Sequence, residues 1–156
     1  MEREPEFSIR ICSDPHLLAT VRATIDALAK NVGFNDKSRA LLTLAVDEAL
    51  ANVIRHGYEE RTDGMIWINL WRVRNPPGLR IVVDDLGKSV DPAKIKGRDI
   101  ADIRPGGLGV HIIKETMNEA RWEARPEGGM RLTLVKWLSS QELEALSSTQ
   151  SENTSP

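Results

Sequence analysis

Cysteine is almost absent from the chain. Its one cysteine, Cys12, excludes an internal disulfide framework and a metal site built from several thiolates. Cys12 follows an apolar residue near the end of a predicted strand, where a thiol acts as a small apolar side chain. Such sparing use of cysteine suits a reducing compartment, and we expect a cytoplasmic protein.

Long apolar runs and an excess of positive charge are also missing. No segment approaches the roughly 18 residues of a membrane span, and the polar start MEREPEF is unlike a secretion signal. With 21 Lys and Arg against 23 Asp and Glu, the net charge of −2 gives no field that attracts nucleic acid or an anionic membrane. We expect neither partner. The 156 residues suffice for one domain with its own core.

The segment 41–58, LLTLAVDEALANVIRHGY, predicts the central helix of the fold. Asn35 or Asp36 can cap its start, and Gly57 is expected to end it in the left-handed conformation. Apolar residues point in nearly every direction around the axis, which predicts a helix packed on several sides.

Two polar side chains, Glu48 and Asn52, lie one turn apart on this helix and share a face. A buried unpaired polar group costs roughly 1–3 kcal/mol, so each side chain needs a partner. One interpretation pairs them with backbone or with Arg55. The other places them in a cleft, where Asn52 holds a metal ion and Glu48 accepts a proton. The helix alone favours the first, because satisfied buried polar residues outnumber catalytic ones.

Strands and a first helix surround this segment. Residues 7–11 alternate as a half-buried strand does, and Ser13-Asp14-Pro15 predicts the start of a helix that ends near Gly33. Strand-forming residues on either side of short turns predict two hairpins, 65–73 with 79–84 and 121–125 with 130–138. Trp67 and Trp71 share a strand face and are expected in the core. Residues 139–156 are polar, and we expect a disordered tail there.

The strand that ends at Asp84-Asp85-Leu86-Gly87 places carboxylates and a glycine at the mouth of the sheet. Asp85 could accept from the exocyclic amine of a purine, and Gly87 would let the ring approach the backbone. Alternatively, Asp85 only bonds its own backbone in a turn, which is the commoner use of aspartate. The irregular segment from Lys88 to Arg104 is long for a plain connection and is typical of a binding loop or lid.

That segment ends in Arg104-Pro105-Gly106-Gly107-Leu108-Gly109, directly before a predicted helix. Glycines at a helix start leave backbone N–H groups bare at the positive end of the helix dipole, where phosphate binds. The pattern is neither a P-loop, which needs GK[ST], nor a dinucleotide fingerprint. By itself it is a weak signal.

Taken together and in this order, the three features resemble the GHKL (Bergerat-fold, histidine-kinase-like) ATPases. VDEALANVIRHGY and RPGGLGVHIIKETM are similar in particular to the anti-sigma-factor serine kinase branch, the RsbW-like proteins. The resemblance spans Ile9 to Leu138. It implies an α/β fold, a two-layer sandwich with a mixed, mostly antiparallel sheet, an ATP-binding domain over 7–138, and a homodimer.

The resemblance also implies roles for individual residues. Asn52 becomes the Mg²⁺ ligand, Glu48 the general base, Asp85 the acceptor of the adenine amine, and Gly87 the close-approach glycine. Residues 88–105 become the ATP lid. The phosphate-binding turn and its neighbours are Arg104, Gly106, Gly107, Leu108 and Gly109.

Two positions depart from the family pattern. Ser89 replaces the second glycine of Asp-x-Gly-x-Gly, and Met130 stands where a threonine near the nucleotide is expected. The resemblance implies a kinase that uses ATP and Mg²⁺ to phosphorylate a serine of an anti-anti-sigma (STAS-type) protein and that sequesters a sigma factor. The alternative is a partner-binding module without catalysis. Glu48 favours the kinase, whereas Ser89 and Met130 favour the module.

Overall fold

Five strands form one sheet in the order β1-β2-β3-β5-β4 in the computed structural model, which describes residues 3–95 and 108–152. The strands are β1 (Phe7–Cys12), β2 (Met65–Arg74), β3 (Pro77–Asp85), β4 (Glu119–Ala124) and β5 (Met130–Trp137). The helices are α1 (Leu18–Val32), α2 (Asp36–Asn52), α3 (Gly109–Thr116) and α4 (Ser140–Glu152). Both predicted hairpins, β2–β3 and β4–β5, are confirmed.

All four strand pairings in the described residues are antiparallel, where a mixed, mostly antiparallel sheet was expected. Tight turns force each hairpin to be antiparallel. The longer connection from β1 to β2 also reverses the chain. The long connection after β3 leads to β4, which runs in the same direction as β3 and is separated from it in the sheet by β5.

The core lies between one face of the sheet and helices α1, α2 and α3. Alternation along β2 places Ile66, Ile68 and Leu70 on the covered face, where they meet helix residues such as Ile25 and Leu50. All five side chains are buried, and each contributes roughly 1.5–3 kcal/mol by leaving water. Helix α2 packs against the sheet, α1 and α3 as expected, but Leu44 on its remaining side is 41% exposed.

Trp67 and Trp71 lie on the opposite face of the sheet, which corrects their assignment to the core. The indole Nε1 of Trp71 donates to the carbonyl of Arg3 at 2.7 Å, and the Arg80 guanidinium lies 4.8 Å from the Trp71 ring centroid. A period of two shows that the two tryptophans share a face. It does not show which face the helices cover, and here the aliphatic face is the covered one.

The end of α2 also differs from expectation. Asn35 caps the start, since its side chain accepts from the Ser38 N–H at 2.9 Å. After Asn52 the chain continues through one wider π-helical turn, Val53–Gly57, and Gly57 does not adopt a left-handed conformation. The left-handed residues that redirect the chain are Glu59 and Glu60, with φ of 51° and 64°.

The polar segment from residue 139 contains α4, which corrects the expected disorder for residues 140–152. Its anchor is Glu142, a buried carboxylate that accepts from the backbone N–H of Asn35 and of Ser139, each at 2.8 Å. These bonds help to hold the pKa of Glu142 below its ordinary value, although burial acts in the opposite direction. Leu143 and Leu146 pack against the core.

Across residues 3–95 and 108–152, every helix is too short or too polar to cross a bilayer.

Candidate functional site

A cavity of about 540 Å³ opens between α2, the end of β3, the sheet edge formed by β4 and β5, and the start of α3. Its polar lining includes Glu48, Asn52 and Asp85, which come from two different elements. Apolar side chains supply most of the remaining wall, among them Val53, Met130, Leu132 and Trp122. This composition, apolar walls with a few converging polar groups, is typical of a small-molecule site.

Glu48 and Asn52 meet α3 at Gly109. A Cβ at Gly109 would lie 2.5 Å from Glu48 Oε2 and 3.5 Å from Asn52 Nδ2. The missing side chain therefore lets the first turn of α3 approach both polar groups. Arg55 Nε donates to the Ala51 carbonyl at 3.3 Å, and no ion pair between Arg55 and Glu48 is present in the described residues. Of the two sequence interpretations, the geometry favours side chains that face a cleft.

Asp85 lies at the inner end of the cavity. Residues 81, 83 and 85 alternate onto the covered face of β3, so this carboxylate points into the interior and is only 2% exposed. Its Oδ1 accepts from the backbone N–H of Gly87 at 2.8 Å and of Met130 at 3.3 Å. Burial raises the pKa of Asp85, and the two N–H donors act in the opposite direction. Asp85 therefore makes the predicted turn bond and also lines the cavity.

The segment after Asp85 is held by Tyr58. The Tyr58 hydroxyl donates to the Met65 carbonyl and accepts from the Leu86 N–H at 2.8 Å. Burial raises the pKa of this phenol, so it stays protonated and can donate at neutral pH. Tyr58 belongs to the H-G-Y end of the helix signature, but no local pattern in the sequence predicted this contact.

Gly87 makes a close backbone contact with Gly57. A Cβ at Gly87 would lie 2.5 Å from the carbonyl carbon and oxygen of Gly57, far inside van der Waals contact. The Lys88 N–H donates to that same carbonyl at 2.8 Å. The close approach expected of Gly87 is therefore made, in the described residues, to the chain's own backbone at the end of α2.

Ser89 and Met130, the two departures from the family pattern, both join the segment after Gly87 to the region of the β4–β5 turn. The Ser89 hydroxyl donates to the Gly129 carbonyl at 3.0 Å, and the Val90 N–H lies 3.4 Å from the Met130 sulfur. Met130 supports Asp85 through its backbone N–H, so the missing threonine hydroxyl does not leave that carboxylate unsupported.

Of the predicted phosphate-binding residues, Leu108 and Gly109 line the cavity at the start of α3. Arg104, Gly106 and Gly107 lie outside the described residues, as does most of the expected lid. Sequence reasoning missed Trp122 as a lining residue. A signal was available, because Ala120 and Trp122 alternate onto the covered face of β4, opposite Leu134 and Leu132.

Residues 11–136 match the family of histidine kinase-like ATPase domains. The chain belongs to this family. Relatives of this histidine kinase-like domain include the serine-protein kinase RsbW of Oceanobacillus iheyensis, 25% identical over 146 residues, 88% of this chain and 90% of that protein. RsbW of Halalkalibacterium halodurans is 26% identical over 162 residues and 96% of each chain. The resemblance to RsbW-like GHKL proteins is thus confirmed.

Solved structures show the same fold at low identity. The SiaB–SiaC complex from Pseudomonas aeruginosa matches with a TM-score of 0.65 and 13% identity, over 85% of this chain and 89% of that one. The RsbU and RsbW domains of Rv1364c from Mycobacterium tuberculosis match with a TM-score of 0.59 and 19% identity over 87% of this chain. This chain spans 34% of the chain in that structure, which contains both domains. The expected two-layer α/β fold is confirmed, and family membership implies ATP as a ligand.

Proposed function

We propose that this histidine kinase-like domain is a serine-protein kinase that transfers the γ-phosphoryl group of ATP to a separate small protein. One observation carries the proposal: Glu48, Asn52 and Asp85 line a single cavity that ends at the start of α3. The similarity to RsbW kinases over most of the chain supports the same activity.

The inner end of the cavity suits adenine. Asp85 Oδ1 already accepts two backbone N–H groups, and the carboxylate retains lone pairs for the exocyclic amine of the base. Val53, Met130 and Leu132 offer apolar surface to a purine ring. We assign Asp85 to base recognition.

The outer end suits the phosphates. Leu108 and Gly109 begin α3, where backbone N–H groups and the helix dipole favour negative charge. We assign them, with Arg104, Gly106 and Gly107, to phosphate binding.

Asn52 is suited to hold Mg²⁺, because its amide oxygen is a hard ligand. One protein ligand can suffice, because the other positions around Mg²⁺ are usually filled by waters and nucleotide phosphate oxygens. The described residues contain no group of three or more His, Cys, Asp or Glu that would bind a metal alone. This agrees with an ion held jointly by one side chain and the nucleotide. When bound, Mg²⁺ would neutralise phosphate charge.

Glu48 is the candidate general base. Its carboxylate lies at the junction of α2 and the first turn of α3, beside the proposed phosphate site. We propose that it takes the proton of the substrate serine while the serine oxygen bonds to the γ-phosphorus. The bond from that phosphorus to the β–γ bridging oxygen breaks, and ADP leaves.

The partners follow from the family resemblance. We propose a STAS-type anti-anti-sigma protein as substrate, a sigma factor as the sequestered partner, a homodimer as the working form, and regulation of transcription as the outcome. The second candidate, a non-catalytic binding module, is favoured by Ser89 and Met130, which tie the start of the lid segment to β5.

A phosphoryl-transfer assay separates the two candidates. A small protein captured with the chain from its native cell is incubated with labelled ATP. Glu48→Gln keeps the size and hydrogen-bonding shape of the side chain but cannot accept the proton, so transfer should fall about 10²–10⁴-fold. ATP affinity should change little. Glu115→Gln, on the exposed side of α3, is the matched control.

Wild-type rates in Glu48→Gln would remove Glu48 as the base. Absence of transfer by the wild type to its own captured partner would favour the binding module.

A further inference from the structure

Arg125 lies next to Asp85, the residue proposed to bind adenine, in the turn between β4 and β5. Its guanidinium Nη1 donates to the backbone carbonyl of Asp85 at 2.8 Å, across 40 residues of sequence. The side chain is only 15% exposed and also pairs with Glu127. Arg125 is further fixed through its backbone, which accepts from Gly128 and donates to Gly129, both at 3.1 Å.

A full cation is more than this bond requires. A neutral donor would satisfy the Asp85 carbonyl, whereas a largely buried guanidinium has a desolvation cost. Moreover, the Arg125 Nε is buried without a hydrogen-bond partner among the described residues. The Arg125 charge does have an effect on the buried Asp85 carboxylate, because a neighbouring cation favours the ionised form of an acid. Arg125 indeed lowers the pKa of Asp85, opposing the effect of burial.

We propose that Arg125 is the positioning residue for Asp85, and that through it the chain distinguishes a purine with a 6-amino group from one with a 6-oxo group. The proposal rests on the nucleotide site proposed above. An ionised, correctly placed carboxylate accepts from the 6-amine of adenine and repels the 6-oxygen of hypoxanthine. A misplaced or protonated carboxyl loses this discrimination.

The Asp84 carboxylate, next to Asp85 in sequence, is held on the other sheet face by a two-point ion pair with Arg131, 2.7 Å for each bond. Further ionisable groups adjoin Asp85 or line the cavity, and all variants below share them: Tyr58, Lys88, Glu48, Arg55 and His56. Comparison between variants therefore isolates the contribution of Arg125.

The test is calorimetric titration with ATP and with inosine triphosphate, for the full chain. Arg125→Gln removes the charge but keeps a donor, and we expect the preference for ATP to fall about tenfold. Arg125→Lys keeps the charge and should stay within about threefold of wild type. Arg121→Gln is the control, since Arg121 is exposed on β4 and pairs with Glu123 at 3.2 Å.

The ratio of the affinities for ATP and inosine triphosphate distinguishes two effects of the substitution. A general loosening of the fold weakens the binding of both nucleotides equally and leaves the ratio unchanged, whereas loss of Asp85 positioning changes it. An unchanged ratio in folded Arg125→Gln would overturn the proposal. If the wild type binds no ATP, the proposed nucleotide site itself fails, which is a different result.

A second variant covers the case in which Arg125→Gln does not fold. Glu127 is exposed and partly offsets the charge of Arg125, so Glu127→Gln should strengthen the effect of that charge on Asp85. The acid limb of ATP binding, the pH range over which affinity is lost on acidification, should then lie at lower pH than in the wild type. An acid limb identical to wild type in Glu127→Gln would also overturn the proposal.

Discussion

Replacing Gly87 by alanine should damage both stability and nucleotide binding, because the added methyl group meets backbone. The new Cβ would lie 2.5 Å from the carbonyl carbon and oxygen of Gly57, where ordinary contact begins at 3.4 Å. One segment must therefore move by almost 1 Å. That movement disturbs the Lys88 N–H bond to the same carbonyl and the Gly87 N–H bond to Asp85, both 2.8 Å long.

The magnitude follows from these contacts. Overpacking costs typically about 1–3 kcal/mol, and a disturbed hydrogen bond adds about 0.5–1.5 kcal/mol. We expect Gly87→Ala to lose about 2–4 kcal/mol of unfolding free energy. Gly57→Ala is the matched control, since its Cβ would lie 3.7 Å or more from every neighbour and its backbone is not left-handed. The control should change stability by less than about 0.5 kcal/mol.

Urea unfolding of both variants and the wild type measures the difference, with an ATP titration alongside. A loss below about 0.5 kcal/mol in Gly87→Ala would refute the close contact. A loss of about 1 kcal/mol or more in Gly57→Ala would instead indicate a left-handed Gly57, as the sequence first suggested.

Two further predictions concern the same cavity. Asn52→Ala should abolish the gain in ATP affinity that Mg²⁺ provides, while Asn31→Ala, exposed on α1, should keep it. Calorimetric titration with and without Mg²⁺ measures this gain. An unchanged gain in Asn52→Ala would remove Asn52 from the site. Asp85→Asn should bind ATP weakly yet be more stable than the wild type at pH 8. Because burial raises the pKa of Asp85 in the folded state, the wild type loses stability as pH rises from the ordinary to the raised value. Urea unfolding at pH 4 and pH 8 should show a difference between the two proteins only at the higher pH, and equal stability at both would contradict the prediction.

Local signals in the sequence were sufficient for most elements. Strand-forming residues around Pro76 and around Gly128 predicted both hairpins, because short turns impose antiparallel pairing. Asn35 as a cap and the burial of α2 also followed from local pattern. The site was foreseen in part, since Glu48 and Asn52 share a helix face whatever the tertiary structure.

The errors arose where distant contacts decide. Helix α4 has few apolar residues, and its stability depends on Glu142 bonding to Asn35, 107 residues away. The tryptophans of β2 are on the open face, and the aliphatic residues Ile66, Ile68 and Leu70 meet the helices instead. Arg125 carried no signal at all, because its partner Asp85 is on another strand. Periodicity reports which residues share a face, and packing determines what that face meets.

The bonds from Ser89 and Val90 to the β4–β5 turn have a mechanical consequence. Residues 87 to 90 are anchored in succession to Asp85, Gly57, Gly129 and Met130. Each of these four residues is therefore held in place by a contact to a neighbouring part of the fold. The glycine at 87, which by its nature could be a hinge, is instead part of the fixed frame. The serine in place of the family's second glycine thus adds a side-chain bond that joins this strand end to the β4–β5 turn beside Asp85.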